Sequence, residues 1–335
     1  RTQLYRYLKE LPVAWRVCIS GTPIENSLED LWSLMSLAVP GLLSSHSSFN
    51  EKFRRPIEAG RSPDLLNLLH SLIAPFVLRR TKEEVAPELP ERVETLLPVP
   101  LGRKQRQIYD RYLTRERARL LHLELENDTR ERFEVLAALT RLRQLSLDPA
   151  LVDQRYDSVG SAKIDLLCEH LEQILPLGHK VLVFSQFVAF LERIRRSLDQ
   201  RGIRSLLLEG KTRNRHAVID EFQHGDVQVF LISLKAGGVG LTLTQADYVY
   251  MMDPWWNPSV EAQAVNRAHR IGQDRRVNVY RLVAQDTIEE KVCQLQAHKQ
   301  LLVDSVVGQN LGEGRSSTDI QQLLKLIQED RDGRV

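Results

Sequence analysis

Cysteine is scarce in this chain: three in 335 residues, at Cys18, Cys168 and Cys293, far apart and in no C-x-x-C pair. That spacing excludes a disulfide framework and a zinc ribbon, and the nine scattered histidines give no metal site either. No apolar run approaches the eighteen or so residues that span a bilayer, and the opening residues do not read as a signal peptide. The expectation is a reducing compartment: cytoplasmic and nucleoid-associated in a bacterium, nuclear in a eukaryote. Excess charge is also lacking, since 46 Lys and Arg balance 44 Asp and Glu, and a net charge of +2 is no strong argument for nucleic acid. The balance is uneven locally: residues 103–143 hold eleven Lys or Arg against seven Asp or Glu. There are no repeats or low-complexity tracts.

The length suggests two or three domains at roughly 150 residues each. The chain opens on Arg1 and enters a helical rhythm at once from Leu4 to Leu11, so a cut inside a larger protein is expected. Residues 15–20 read as a short buried strand that breaks at Gly21-Thr22-Pro23. A helix follows near Ser27, with Asp30 placed to complete a capping box. Interrupted helical patterns with seven prolines fill 41–100, read as a helical subdomain and a linker between Thr81 and Pro100. Two long helices folded back at Asn127-Asp128 fit 102–146. From Lys163 the rhythm changes: helical stretches alternate with β-branched runs at Val181 to Phe184, Ile203 to Leu208, Val227 to Ile232, Tyr248 to Met252 and Val277 to Val283. That alternation predicts an α/β fold with a parallel sheet and helices on both faces. Ligand chemistry then collects at the carboxyl ends of the strands. After Asp286 a long helix is expected to about Val307, with Thr287 and Glu290 at capping-box spacing, then a Gly/Ser-rich linker and one last short helix.

Arg267-Ala-His-Arg270-Ile-Gly-Gln273 carries the strongest chemical signal. Asn257 can cap a helix and Pro258 can occupy its first position. Counting 100° per residue places Gln263, Asn266, Arg267 and Arg270 on one face, and Val260, Ala264, Ala268 and Ile271 on another. Planar guanidinium forks so displayed suit phosphate and the charge of a phosphoryl group in transit, although two arginines alone could be a solvated face. Gly210-Lys211-Thr212 imitates a P-loop, but G-x-x-x-x-G-K-[ST] demands glycine where Ser205 stands. Asp220-Glu221 imitates a magnesium-binding acidic pair, but Val218, Ile219 and Phe222 mark a helix instead of a strand end. Lys235-Ala-Gly237-Gly238-Val-Gly240 could bring backbone amides close to a phosphate or simply make a tight strand-to-helix turn. Trp255 and Trp256, stiffened between Pro254 and Pro258, could stack on a base or wedge their loop against its neighbours.

Six stretches, Ser20 to Asn26, Phe76 to Arg80, Val181 to Gln186, Lys235 to Leu241, Asp253 to Pro258 and Gln263 to Gln273, together resemble the Swi/Snf family of DNA-translocating ATPases. The resemblance runs from about residue 1 to 307. It implies the end of a first RecA-like lobe at 1–40, a helical subdomain and linker at 41–100, a helical insertion at 101–158, a second RecA-like lobe with a brace helix at 159–307, and a tail at 308–335. It also implies ATP as cofactor, with Mg2+ bound mainly by the first lobe. The P-loop and acidic box of that lobe have no counterpart in this sequence, so the fragment alone is expected to be inactive.

The resemblance casts Arg267 and Arg270 as arginine fingers and Gln263, Gly238 and Gly240 as nucleotide-proximal. Gly21, Thr22, Pro23 and Asn26 would couple nucleotide state to lobe movement. Ser185, Gln186, Thr212, Arg215, Ser233 and Lys235 match positions near the family's DNA backbone track, and Trp256 joins them by its stacking potential. Two departures blur the subfamily: Gln144 to Pro149 lacks the usual Cys and His, and Glu209-Gly-Lys-Thr-Arg lacks the usual acidic variant. The partners implied are double-stranded DNA, the other lobe and a DNA-bound protein, and no membrane. A non-enzymatic DNA-binding or scaffolding module and a self-contained NTPase using Lys211 and Asp220 are the rivals.

Overall fold

The β-branched runs of the second half are apolar on both sides, which a strand tolerates only where helices cover both faces of its sheet. In the computed structural model each run is a parallel strand. The structure describes residues 3–21, 23–24, 27–59, 63–120, 129–236 and 241–296. It divides into two compact units, whose main stretches are Arg1–Val85, and Ala86–Trp256 with Val260–Gln294.

The second unit is built on six strands: β1 (Arg92–Val99), β2 (Val181–Ser185), β3 (Ser205–Leu208), β4 (Val229–Ser233), β5 (Tyr248–Met251) and β6 (Val277–Ala284). Their order is β1-β6-β5-β2-β4-β3, and every neighbouring pair is parallel. Alternation along β2 divides the core. Val181 and Val183 enter one cluster with Ile164, Leu167, Phe190 and Ile194, while Leu182 and Phe184 enter another with Phe222, Phe230, Ala264 and Val265. Those residues lie on α9 (Ala162–Ile174) and α10 (Val188–Gln200) for the first face, and on α11 (Arg215–His224), β4 and α12 (Pro258–Val265) for the second. The predicted α/β class and the five predicted strands are thus present. Asp220-Glu221 lies on α11, as its apolar spacing required.

One strand escaped the sequence reading. Residues 92–99, expected inside a linker, pair with β6 over eight residues, Arg92↔Val277 through Val99↔Ala284. Pro98 and Pro100 disguised it. Because β1 stands at the sheet edge, proline costs it no interior ladder bond. Two long helices precede the rest of the sheet, α7 (Arg103–Leu120) and α8 (Thr129–Leu147). Their predicted reversal at Asn127-Asp128 lies outside the described residues.

The first unit holds α1 (Gln3–Glu10), α2 (Leu28–Ala38), α3 (His46–Phe49), α4 (Arg55–Glu58), α5 (Pro63–Ile73) and α6 (Lys82–Val85). The capping box at the start of α2 is formed: Ser27 Oγ accepts from Glu29 N at 3.2 Å, and Asp30 accepts from Ser27 N at 3.2 Å. Leu28, Leu31, Trp32 and Met35 bury against Phe49, Ile57 and Leu69. The buried strand expected over 15–20 is absent: these residues have no ladder partner among the described residues, and Trp15, Val17 and Ile19 are exposed. Apolar β-branched composition creates a strand only where another strand supplies hydrogen bonds.

Candidate functional site

Six parallel strands deliver their carboxyl ends to one edge, where Ser185-Gln186, Thr212, Ser233 to Ala236 and Asp253 to Trp256 end or follow β2, β3, β4 and β5. Ser185 and Ser233 lie in register on β2 and β4, both buried, and Leu234 N donates to Ser185 O at 3.0 Å. Their hydroxyls turn the chain: Ser185 Oγ accepts from Phe187 N at 3.1 Å and Ser233 Oγ from Ala236 N at 3.2 Å. Thr212, half-buried after β3, accepts likewise from Glu209 N at 3.0 Å. Arg215, half-buried, donates from Nη2 to Ala236 O at 2.7 Å, which ties α11 to the segment after β4. Lys235 is exposed, and the side-chain amide nitrogen of Gln186 is buried without a hydrogen-bond partner.

Asp253, the first residue of the tryptophan loop, is buried and accepts from Gln186 N at 3.3 Å. Burial pushes its carboxyl pKa up against the opposing pull of Arg143, Ser185 and Lys163. Arg143, on α8, lies 3.6 Å from Asp253 and donates from Nη2 to Pro254 O at 2.5 Å. Its guanidinium stands over the rings of Phe187, Trp255 and Trp256, at 5.7, 5.5 and 5.1 Å. Both half-buried tryptophans therefore wedge their loop around a cation from another element.

The arginine helix is shorter than predicted. It starts as expected, with Ser259 N donating to Asn257 Oδ1 at 3.0 Å, but α12 ends at Val265 and residues 266–272 form turns. Arg267 O is taken by Leu243 N at 2.9 Å, which diverts the backbone from the helical ladder. The expected common face is thus split: Arg267 is 7% exposed, Arg270 is exposed, and Ile271, expected to be buried, is 72% exposed. Arg267 Nη1 donates to Leu241 O at 3.4 Å and Arg270 Nη1 to Thr242 Oγ1 at 3.1 Å. Both therefore flank the residues that follow the glycine segment. Among the described residues neither forms an ion pair, and Arg267 Nε is buried without a hydrogen-bond partner. Burial lowers the Arg267 pKa, and Arg270 lowers it further. Gln263 is half-buried on α12.

Gly21 is exposed and Pro23 half-buried, both in the first unit; Thr22, Asn26, Gly238 and Gly240 lie outside the described residues. Sequence reasoning missed Arg143 and Lys163, and it placed Asp253 in a motif without giving it a role. Lys163 is fully buried and donates to Glu289 at 2.6 Å, Met252 O at 2.6 Å and Leu282 O at 2.8 Å. A signal existed: Lys163 falls on the stripe of α9 shared with Leu167 and Leu171, and a cation on an apolar stripe requires a buried partner.

Comparison with known proteins finds the SNF2-related domain over residues 1–151 and the helicase conserved C-terminal domain over 162–272. An uncharacterized ATP-dependent helicase of Mycoplasma pneumoniae is 35% identical over 93% of this chain and 30% of its own length. The putative ATP-dependent helicase/translocase YwqA of Bacillus subtilis is 34% identical over 97% of the chain and 36% of its length. This chain spans about a third of the length of these curated relatives. Among solved structures, the Sulfolobus solfataricus SWI2/SNF2 ATPase core domain is 32% identical over 97% of this chain and 67% of that one, with a TM-score of 0.55. The same core in complex with double-stranded DNA is 32% identical over 92% and 66%, with a TM-score of 0.54.

Proposed function

This chain belongs to the SNF2 family of ATP-dependent helicases, and on that premise we propose that it forms the C-terminal part of a double-stranded DNA translocase or remodeller. Its RecA-like sheet supplies one wall of a composite ATP site; the phosphate cradle and the magnesium ligand come from a first lobe. One observation carries the reading. Two arginines are held by Leu241 and Thr242, the residues that follow the glycine segment, with no carboxylate to neutralise them among the described residues, and one has a buried Nε with no hydrogen-bond partner among them. A buried unsatisfied donor costs about 1 to 3 kcal/mol, a standing penalty that an incoming phosphate relieves.

ATP, when bound, supplies the phosphoryl group whose transfer drives the cycle. Arg270, exposed and hydrogen-bonded to Thr242, would reach the transferring phosphoryl; Arg267, buried beside Leu241, would position it and add its charge. Gln263, Gly238 and Gly240 line the nucleotide. At the same edge Gln186, Thr212, Arg215 and Lys235 would grip the DNA backbone, and Ser185 and Ser233 fix the loops that present them, while Trp256, expected to stack on DNA, is engaged by Arg143 instead. Gly21, Thr22, Pro23 and Asn26 transmit the nucleotide state between lobes. A bound remodelling substrate would be a DNA-bound protein.

In a protein carrying both lobes, Arg270→Ala lowers DNA-stimulated ATP hydrolysis by about 10³-fold or more while DNA affinity changes little. Unchanged hydrolysis rejects the finger assignment. A two-lobe protein with intact arginines and no hydrolysis at all favours the scaffolding module instead.

A further inference from the structure

Arg143 belongs to none of the motifs that define the site, yet it touches the loops after both β2 and β5. It comes from α8, outside the strands, and is 3% exposed. Three aromatic rings surround its guanidinium. Phe187 lies directly after Gln186, and Trp255 and Trp256 belong to the loop after β5. Its Nη2 meets Pro254 O at 2.5 Å, Asp253 lies at 3.6 Å, and its Nε has no hydrogen-bond partner.

Two links lead outward from this cage. Asp253 accepts from Gln186 N, so the loops after β2 and β5 are joined through the same carboxylate that faces Arg143. Trp255 N donates to Glu261 Oε1 at 2.6 Å, and Glu261 stands on α12, the helix that carries Gln263 and leads into Arg267. The remaining charged groups here are Lys163 with Glu289 and Arg281 with Glu261, each an ion pair.

We infer that Arg143 is a positioning residue of the site: caged by Phe187, Trp255 and Trp256, it holds the DNA-facing loops after β2 and β5 in fixed register with the base of the arginine-bearing helix. The role rests on the proposed ATPase reading, in that the register matters where DNA contact must be felt at the nucleotide. Apolar packing alone would need no cation. A planar guanidinium can serve a carbonyl, a carboxylate and aromatic faces at once, a combination that methionine lacks and lysine reproduces only in charge.

The test uses the two-lobe protein with Trp15→Phe and Trp32→Phe, which leaves Trp255 and Trp256 as the tryptophans of this chain; any in the added lobe are replaced likewise. Arg143→Met is expected to red-shift tryptophan emission, to raise acrylamide quenching about twofold and to reduce DNA stimulation of ATP hydrolysis about tenfold. The DNA-free rate stays within about twofold. Arg143→Lys recovers part of the stimulation. Phe187→Leu removes one wall of the cage and lowers stimulation by a smaller factor, and with Arg143→Lys it decides the matter if Arg143→Met does not fold. The inference is overturned if emission and quenching are unchanged in folded variants, or if they change while DNA stimulation stays at the parental level. If the parent protein shows no hydrolysis, the ATPase reading fails, and the fluorescence of the same variants still decides whether Arg143 sets the loops.

Discussion

Arg267 and Cys293 show how burial alone changes what a side chain can do. Burial and Arg270 both act against charge on Arg267, an opposition that an anion at the proposed site would relieve. Arg267→Met is therefore expected to leave thermal stability unchanged or raise it slightly while weakening nucleotide-dependent activity; a large loss of stability by calorimetry would show that the cation is structural. Burial, with Glu261 and Glu289 nearby, pushes the Cys293 thiol up to about 12, and burial raises Cys168 too. At pH 8 a thiol reagent should label exposed Cys18 and reach the other two only after denaturation. Asp157 behaves in the opposite way. A hydrogen bond from Arg193 holds its carboxyl below the ordinary value of about 3.9. Its contribution is thus present above that pH and is lost as pH falls through the lowered folded value. A carbon-detected titration should show Arg193→Gln moving the Asp157 midpoint upward.

Elements are joined by charges as well as by apolar stripes. Lys163 on α9 reaches the ends of β5 and β6 and, through Glu289, the helix that covers 288–296 among the described residues. Removing one member of such a pair strands the other, so Lys163→Met should cost about 3 to 5 kcal/mol in urea unfolding. A loss below 1 kcal/mol would mean that water reaches Glu289. At α2 the capping box was legible from Ser27 and Asp30 alone, because it depends on residues three apart, and Ser27→Ala should cost about 1 kcal/mol. The arginine helix was legible at its start for the same reason. Its end was not: the bond from Leu243 N to Arg267 O comes from another loop, and helical spacing carries no trace of it.

For the molecule as a whole, balanced charge would make the proposed DNA association a matter of local contacts. Binding by this chain should be weak, indifferent to sequence and lost between about 50 and 200 mM salt; sharp preference for one duplex would contradict the proposed grip on the backbone. Micromolar nucleotide binding by the chain alone, abolished by Lys211→Ala, would restore the self-contained NTPase.

Periodicity along the chain was enough to specify the α/β class, five of the six strands and the edge where their polar ends gather, because alternation and helical spacing are local properties that burial imposes on neighbouring residues. Assembly in three dimensions settled the pairing of residues 92–99 with β6, the exposed course of 15–20, the depth of Arg267 and the aromatic cage of Arg143. Each of these depends on partners far away in the chain: Arg143 and Pro254 stand 111 residues apart, and nothing in the spacing of nearby side chains encodes their meeting.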